Sequence, residues 1–187
     1  KGEQEYIGRG VSYCAVCDAA FYRDKIVTVV GGGNTAVEEG MYLTKFANKV
    51  YIVHRRNELR ADKIIQERAF HNDKLEFVWN SKVVEIQGED TVNSVILENI
   101  KTGGITKLET DGVFPYIGLT PNVEGISGQV QQDSNGFIIT DSTMQTSERG
   151  VFAAGDIRNT PLRQVITASS DGAVSAVYAS KYLETLA

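Results

Sequence analysis

Residues 24–56 read DKIVTVVGGGNTAVEEGMYLTKFANKVYIVHRR, and the reading of this stretch decides the fold. Residues 26–30 are a continuous apolar, β-branched run, the pattern of a strand buried on both faces of a parallel sheet. Gly31-Gly32-Gly33-Asn34-Thr35-Ala36 follows and matches Gly-x-Gly-x-x-Ala. From Ala36 the spacing turns helical, with Ala36, Val37, Met41, Leu43 and Ala47 as apolar positions. Residues 50–53 are a second strand. Strand, glycine turn, helix and strand together have the order and length of a dinucleotide-binding βαβ unit. Gly31 permits the tight turn, Gly33 lets backbone approach a pyrophosphate, and Ala36 keeps the helix close to the strand. Free amides at the helix start then face negative phosphate. The competing reading is a tight turn in an α/β domain with no ligand.

The end of the second strand refines the nucleotide. An acidic residue there would bind the ribose diol of NAD. The sequence instead has His54-Arg55-Arg56, with Arg60 one helical turn later. Guanidinium forks match phosphate geometry, so a 2′-phosphate is expected, and NADPH over NADH. The plainer alternative is a solvated basic surface.

Just upstream, SYCAVCDAAF at residues 12–21 holds both cysteines of the chain. Four readings of Cys14 and Cys17 compete: half of a zinc site, two inert core cysteines, an incidental surface pair, or a dithiol/disulfide that carries two electrons. A zinc site needs four ligands, and His54 and His71 stand at no ligand-like spacing. Cys-x-x-Cys is short enough to close on itself and to exchange by thiolate attack. Asp18 directly behind the pair is useful as an acid or base in dithiol chemistry. It equally serves as a cap for a turn or helix.

The totals bound the rest. The chain has 187 residues, room for one large domain or two small ones, and 42% apolar residues, enough for a packed core. A formal net charge of -5 gives no electrostatic case for nucleic acid. No apolar run is long enough to span a bilayer, and residues 1–10 have no signal-peptide pattern. Two cysteines do not make a secreted disulfide framework, so a reducing compartment is expected. The start at Lys1 without methionine suggests a fragment or processed form. Residues 60–72 read as a helix, and residues 75–79, 82–86 and 92–99 as strands, with a hairpin turn at Lys101. Residues 112–117 read as a strand whose Pro115 suits only an edge or a strand end. Residues 137–140 and 151–154 read as short strands. Gly155-Asp156 ends the latter, where a carboxylate can accept a hydroxyl of a second cofactor. Residues 163–186 read as a helix with alanines and serines for close packing. Repeats and low-complexity tracts are absent from the sequence.

In this order and approximate spacing, CAVCD, GGGNTAVEE, HRRNELRA, YIGLTPN, GVFAAGD and RQV at residues 163–165 resemble the low-molecular-weight bacterial thioredoxin reductases, over essentially the whole chain. The resemblance implies an α/β fold. Residues 1–118 would be a Rossmann-like βαβ NADPH-binding domain with an antiparallel β-meander and the redox-active pair. Residues 119–187 would be the C-terminal segment of a second, FAD-binding Rossmann-like domain whose N-terminal half is absent. It implies that electrons pass from NADPH via FAD to a Cys14–Cys17 disulfide and on to thioredoxin, with Asp18 as the acid. Gly31, Gly33, Asn34, Thr35 and Ala36 would hold the pyrophosphate. Arg55, Arg56 and Arg60 would hold the 2′-phosphate, with His54 and Ile117 also beside the cofactor. Gly155, Asp156, Arg163, Gln164 and Val165 would contact FAD. No metal is implied.

The same resemblance implies a cytoplasmic homodimer whose NADPH domain rotates about hinges near residues 7–10 and 117–122. It implies that this piece alone binds FAD weakly and turns over poorly. Its second segment would expose Phe137, Ile139, Val151 and Phe152, for want of strands to pack on, unless a partner chain covers them. Three alternatives carry related sequences or features. The flavoprotein subunit of alkyl hydroperoxide reductase has an extra upstream region. A ferredoxin- or non-pyridine-linked reductase lacks the arginine cluster. A non-catalytic nucleotide-sensing module would use the cysteines structurally.

Overall fold

The computed structural model describes residues 1–126 and 128–186. The chain divides into two compact units, Lys1–Ile117 and Gly118–Ala187.

The first unit is built on a four-stranded parallel sheet and a three-stranded antiparallel one. The cysteine turn contains a single helical turn, α1 (Ala15–Asp18), followed by a short 3-10 turn (Ala19–Tyr22). Then come β1 (Ile26–Gly31), α2 (Asn34–Leu43), β2 (Lys49–Val53), α3 (Lys63–Phe70) and β3 (Leu75–Val78). The antiparallel strands are β4 (Ser81–Gly88), β5 (Val92–Asn99) and β6 (Ile105–Glu109); β7 (Gly112–Tyr116) closes the unit. The parallel order is β3-β2-β1-β7, which puts the glycine turn at the end of an inner strand.

Burial explains why β1 forms. Val27 and Val29 on one face and Thr28 on the other are all fully buried, as the unbroken apolar run anticipates. α2 lays Ala36, Gly40 and Leu43 onto the sheet, at the spacing of one helical face, while Val37 packs with Leu59, Ala61 and Ala69. Gly40 lets the helix sit close, because a Cβ there would lie 3.1 Å from Ile52 Cδ1. Leu43, Ile52, Val50 and Phe114 complete this core, with Tyr22 edge-on to Phe114 at 5.1 Å between ring centres. Fully burying one such side chain is worth about 1.5–3 kcal/mol. The antiparallel sheet covers the other face through a second core that joins Val11, Val53 and Val113 to Ile86, Val92 and Val95.

Pro115 sits where a missing N–H costs nothing. β7 is an edge strand of the parallel sheet, paired to β1 alone among the named strands. Val113 N–H donates to Gly10 O and Val113 O accepts from Ser12 N–H, so odd-numbered residues of β7 face away from β1. Pro115 shares that side, where no ladder bond is lost.

The second unit has a small core of Val130, Ile138 and Ala153, flanked by Val123, Ile126 and Ile157. Residues 137–140 and 151–154, expected as strands, make only isolated bridges: Gln132 with Ile138, Ile138 with Arg158, and Gln145 with Phe152. Gly155 opens a 3-10 turn (Gly155–Ile157) and does not end a strand. α4 (Val165–Glu184) follows, shorter than expected by two residues at each end. Its alanines and serines are not packed as expected, since Asp171 is the helix's only buried residue. Phe137, expected exposed, is 8% exposed, and the Arg163 guanidinium lies over its ring at 4.1 Å. Ile139 and Val151 are open at 41% and 39%. Asp171 accepts from Arg158 Nε at 2.6 Å, Arg158 Nη2 at 3.0 Å and Gly155 N–H at 3.1 Å. This fork ties the start of the 3-10 turn to the helix.

The fork sets a pH dependence. The Arg158 guanidinium, first among the causes, holds the Asp171 carboxyl below its ordinary value. Its contribution is therefore complete above the unfolded-chain value of about 3.9 and is lost as pH falls through the lower folded value. Asp171→Asn is expected to lower unfolding free energy by about 2–3 kcal/mol at neutral pH. That gap should shrink as pH falls below about 4 in denaturant titrations; a gap independent of pH would contradict the pairing.

Candidate active site

Cys14 and Cys17 are joined in a disulfide, with their Cα atoms 5.3 Å apart. The closed pair offers no thiolate to a metal, and no cluster of three or more metal-ligating side chains occurs among the described residues. Cys14 is half-buried and Cys17 exposed, which departs from the picture of two inert core thiols. Two hydroxyls hold the backbone of the turn. Cys14 N–H donates to Ser12 Oγ at 3.2 Å, and Ala15 N–H donates to Tyr116 Oη at 2.8 Å. Inside the turn, Cys17 N–H points at Cys14 Sγ at 3.1 Å.

Asp18 does not cap a helix. Its amide donates to Cys14 O at 3.1 Å, and its side chain makes no capping bond to the 3-10 turn that follows. Instead Oδ2 accepts from Ser12 Oγ at 2.6 Å. One hydroxyl thus fixes both the first cysteine's amide and the carboxylate behind the second. Asp18 also acts on Tyr22, whose phenol is pushed up to about 12, chiefly by burial and then by the charges of Asp18 and Asp111.

The glycine turn works by close approach. A Cβ on Gly31 would lie 2.4 Å from Tyr116 O and 2.7 Å from Ala36 Cβ, and its φ of +151° is itself unsuited to a side chain. Gly31 and Ala36 therefore set how close α2 comes to β1 and β7. Gly32 was not singled out by the sequence pattern, yet its own Cβ would lie 2.4 Å from the His54 ring. Gly33 differs from both. It is the N-cap of α2, has extended backbone, makes no side-chain cap, and a Cβ there would meet nothing within 4 Å. The helix therefore starts with amides that no capping side chain satisfies, in front of open space, where a pyrophosphate fits.

The expected site residues separate by environment. Asn34 is committed to protein: Nδ2 donates to Asp62 Oδ2 and Oδ1 accepts Asp62 N–H, each at 2.8 Å. Gly32 O accepts from Arg60 N–H at 2.7 Å and Ala61 N–H at 3.1 Å. The arginine loop is thus stapled to the glycine turn by backbone and by one amide side chain. Thr35 is exposed and Ala36 buried. His54 is not at the surface. It is 4% exposed under Gly32, edge-on to Trp79, and its Nε2 has no hydrogen-bond partner among the described residues. Burial first, then Arg60, Arg56 and Arg55, lower its basicity. The three arginines are exposed, and among the described residues none of them is in an ion pair. Ile117, the last residue of the first unit, is 74% exposed.

In the second unit Gly155 has φ +80° and Asp156 is exposed beside it. Arg163 Nε donates to Asp156 O at 3.4 Å, so these two are brought together. Gln164 is the N-cap of α4, in a reciprocal capping box with Thr167, and Val165 is 83% exposed. Sequence reasoning missed Ser12, Gly32, Tyr116 and the Arg158–Asp171 fork. The first lies in the quoted cysteine stretch and carried a signal; Tyr116 is 101 residues from its partner and carried none.

No helix among the described residues is long and apolar enough to cross a membrane. The sequence profile of the family described as pyridine nucleotide-disulphide oxidoreductase matches residues 1–172. The thioredoxin reductase of Peptoclostridium acidaminophilum is 55% identical over 98% of this chain and 60% of its own length. The crystal structure of thioredoxin reductase from Streptococcus pyogenes MGAS5005 is 53% identical, with a TM-score of 0.91 over 97% of this chain and 60% of that one. The Lactococcus lactis thioredoxin reductase structure in its FR conformation is 49% identical, with a TM-score of 0.71 over 98% of this chain and 61% of that one. The chain thus spans about three fifths of the length of these relatives. With that fold, that glycine turn and a closed Cys14–Cys17 pair, the chain belongs to the pyridine nucleotide-disulphide oxidoreductase family, as a homologue of thioredoxin reductases.

Proposed function

We propose that this chain is the nucleotide- and disulfide-bearing part of a thioredoxin-disulfide reductase, in which electrons from NADPH reach the Cys14–Cys17 disulfide by way of FAD and leave to thioredoxin. The observation that carries it is a formed disulfide in the same unit as a glycine turn whose open helix start lies beside three uncompensated arginines. When bound, the nucleotide would supply an electron pair as hydride and the flavin would pass that pair to the disulfide.

The residues of the chain have distinct parts in this reading. Gly33 and the first amides of α2 receive the pyrophosphate, and Arg55, Arg56 and Arg60 receive the 2′-phosphate. Asn34 holds the arginine loop through Asp62, and His54 fills the space under Gly32; both support the site without touching nucleotide. Burial and cationic neighbours favour the neutral His54 imidazole, so it adds no charge to the arginines. Asp156, exposed beside Arg163, is the acceptor for a flavin ribityl or ribose hydroxyl. Reduction of the disulfide needs two electrons and two protons, and Asp18, oriented by Ser12, exchanges protons with the sulfurs. Exposed Tyr13, Val16 and Phe21 surround the cysteine turn in sequence, an apolar surface suited to a protein substrate such as thioredoxin. The positive φ of Gly118, at the first residue after the unit boundary, suits a hinge there.

Three outcomes test this. Gly33→Ala, where the protein itself has room, is expected to leave unfolding free energy within about 0.5 kcal/mol. It is expected to weaken NADPH binding more than about tenfold by fluorescence titration, since the added methyl occupies the pyrophosphate approach. Unchanged affinity would remove the nucleotide from this turn. Replacing Arg55 and Arg56 by Ala is expected to cost NADPH about 1.5–3 kcal/mol per lost charged bond while sparing NADH. Equal losses for both nucleotides would contradict a 2′-phosphate site. Asp18→Asn is expected to slow disulfide exchange with thioredoxin by roughly 10²-fold or more while NADPH affinity holds; an unaltered exchange rate would reduce Asp18 to a structural role.

A further inference from the structure

Tyr116 touches both candidate sites. Its backbone pairs in parallel register with Gly31, so close that a Cβ on Gly31 would lie 2.4 Å from Tyr116 O. Its hydroxyl reaches the other way and accepts Ala15 N–H at 2.8 Å, inside the disulfide turn. The residue is half-buried and packs against the core that holds Ala15, Ala19 and Ala36. Burial above all, and then the charges of Glu39 and Asp18, push its phenol well above the usual tyrosine range. The hydroxyl therefore stays protonated over the whole range in which thiols titrate.

We propose that Tyr116 is a positioning residue that links the nucleotide turn to the redox turn, and that its hydroxyl favours the disulfide over the dithiol through the Ala15 amide. The reason is rigidity. In the oxidised chain the sulfur bond closes Cys14-Ala15-Val16-Cys17 into a ring, and the Ala15 amide is fixed facing Tyr116. It has no freedom to turn to another acceptor, and an unmet, partly buried N–H is costly. In the dithiol the ring is open, so the amide can turn toward water. Loss of the hydroxyl therefore penalises the oxidised form more. The inference rests on reading Cys14 and Cys17 as a redox pair, and the experiment separates the two ideas.

The test equilibrates the 187-residue chain with mixtures of reduced and oxidised dithiothreitol. In this exchange the protein S–S bond breaks and the reagent's S–S bond forms. The reagent's two thiols give up two electrons and two protons, which end on Cys14 and Cys17 as two S–H groups. Acid quenching and alkylation then count the dithiol by mass. Tyr116→Phe, which removes one oxygen, is expected to shift the equilibrium about threefold to tenfold toward the dithiol. Stability of the reduced chain and NADP⁺ affinity are expected to stay within about twofold of the parent, because the backbone contact to Gly31 remains. A fluorotyrosine at position 116, with a weaker oxygen acceptor, is expected to give a smaller shift in the same direction. That comparison decides the matter if the Phe variant does not fold. An equilibrium unchanged in these variants, or reduced and oxidised forms destabilised equally, overturns the proposal. A parent chain whose disulfide the reagent cannot open overturns the redox reading itself and this inference with it.

Discussion

The parallel pairing of β1 with β7 at Gly31 and Tyr116 is the contact on which the rest depends. There is no room for a side chain between that strand end, the Tyr116 carbonyl and the first turn of α2. Because the position is glycine, the helix starts directly above the strand and aims its unsatisfied amides into open space. Because β7 is the neighbour, its Tyr116 side chain and its ladder to residues 10–12 hang the cysteine turn beside the same strand end. The glycine turn and the disulfide turn are thereby held together at the end of the β1–β7 strand pair.

Charge follows the same economy. The whole chain is acidic, at -5, yet the loop after β2 presents three arginines that no carboxylate in the described structure neutralises by an ion pair. For a phosphate at hydrogen-bond range the local guanidinium forks outweigh distant negative charge, which salt screens beyond about 8–10 Å. His54 shows how the loop is kept charged without excess cost. It is buried beneath the turn, where the surrounding arginines and low polarity favour its neutral form. The Arg158–Asp171 fork in the second unit is the opposite case, a paired charge spent on holding a backbone turn against a helix.

What the sequence made legible was periodic and local. The run at residues 26–30, the glycine pattern and the next strand follow from burial on both faces and from turn chemistry, and all three stand in the structure. Pro115 announced its edge strand because proline has no donor to lose. The second unit was harder to read. Residues 137–140 and 151–154 have strand-like composition, but they make single bridges, and residues too short for a ladder look the same in sequence as residues that form one. Phe137 was expected bare unless a partner chain covered it; an arginine twenty-six residues on lies over its ring, as long side chains with apolar stems can. Tyr116, Gly32 and the Asn34–Asp62 clamp were hidden for a related reason. Their roles lie in contacts between segments far apart in the chain, to which no spacing rule applies.

The central claim is that nucleotide electrons end on the two sulfurs. Its most direct measurement is a thiol count on a flavin-loaded protein of the relatives' length that carries this sequence, mixed anaerobically with NADPH and alkylated before digestion. The account predicts that Cys14 and Cys17 go from no label to one label each. A pair that stays closed while NADPH is consumed at the flavin would contradict it.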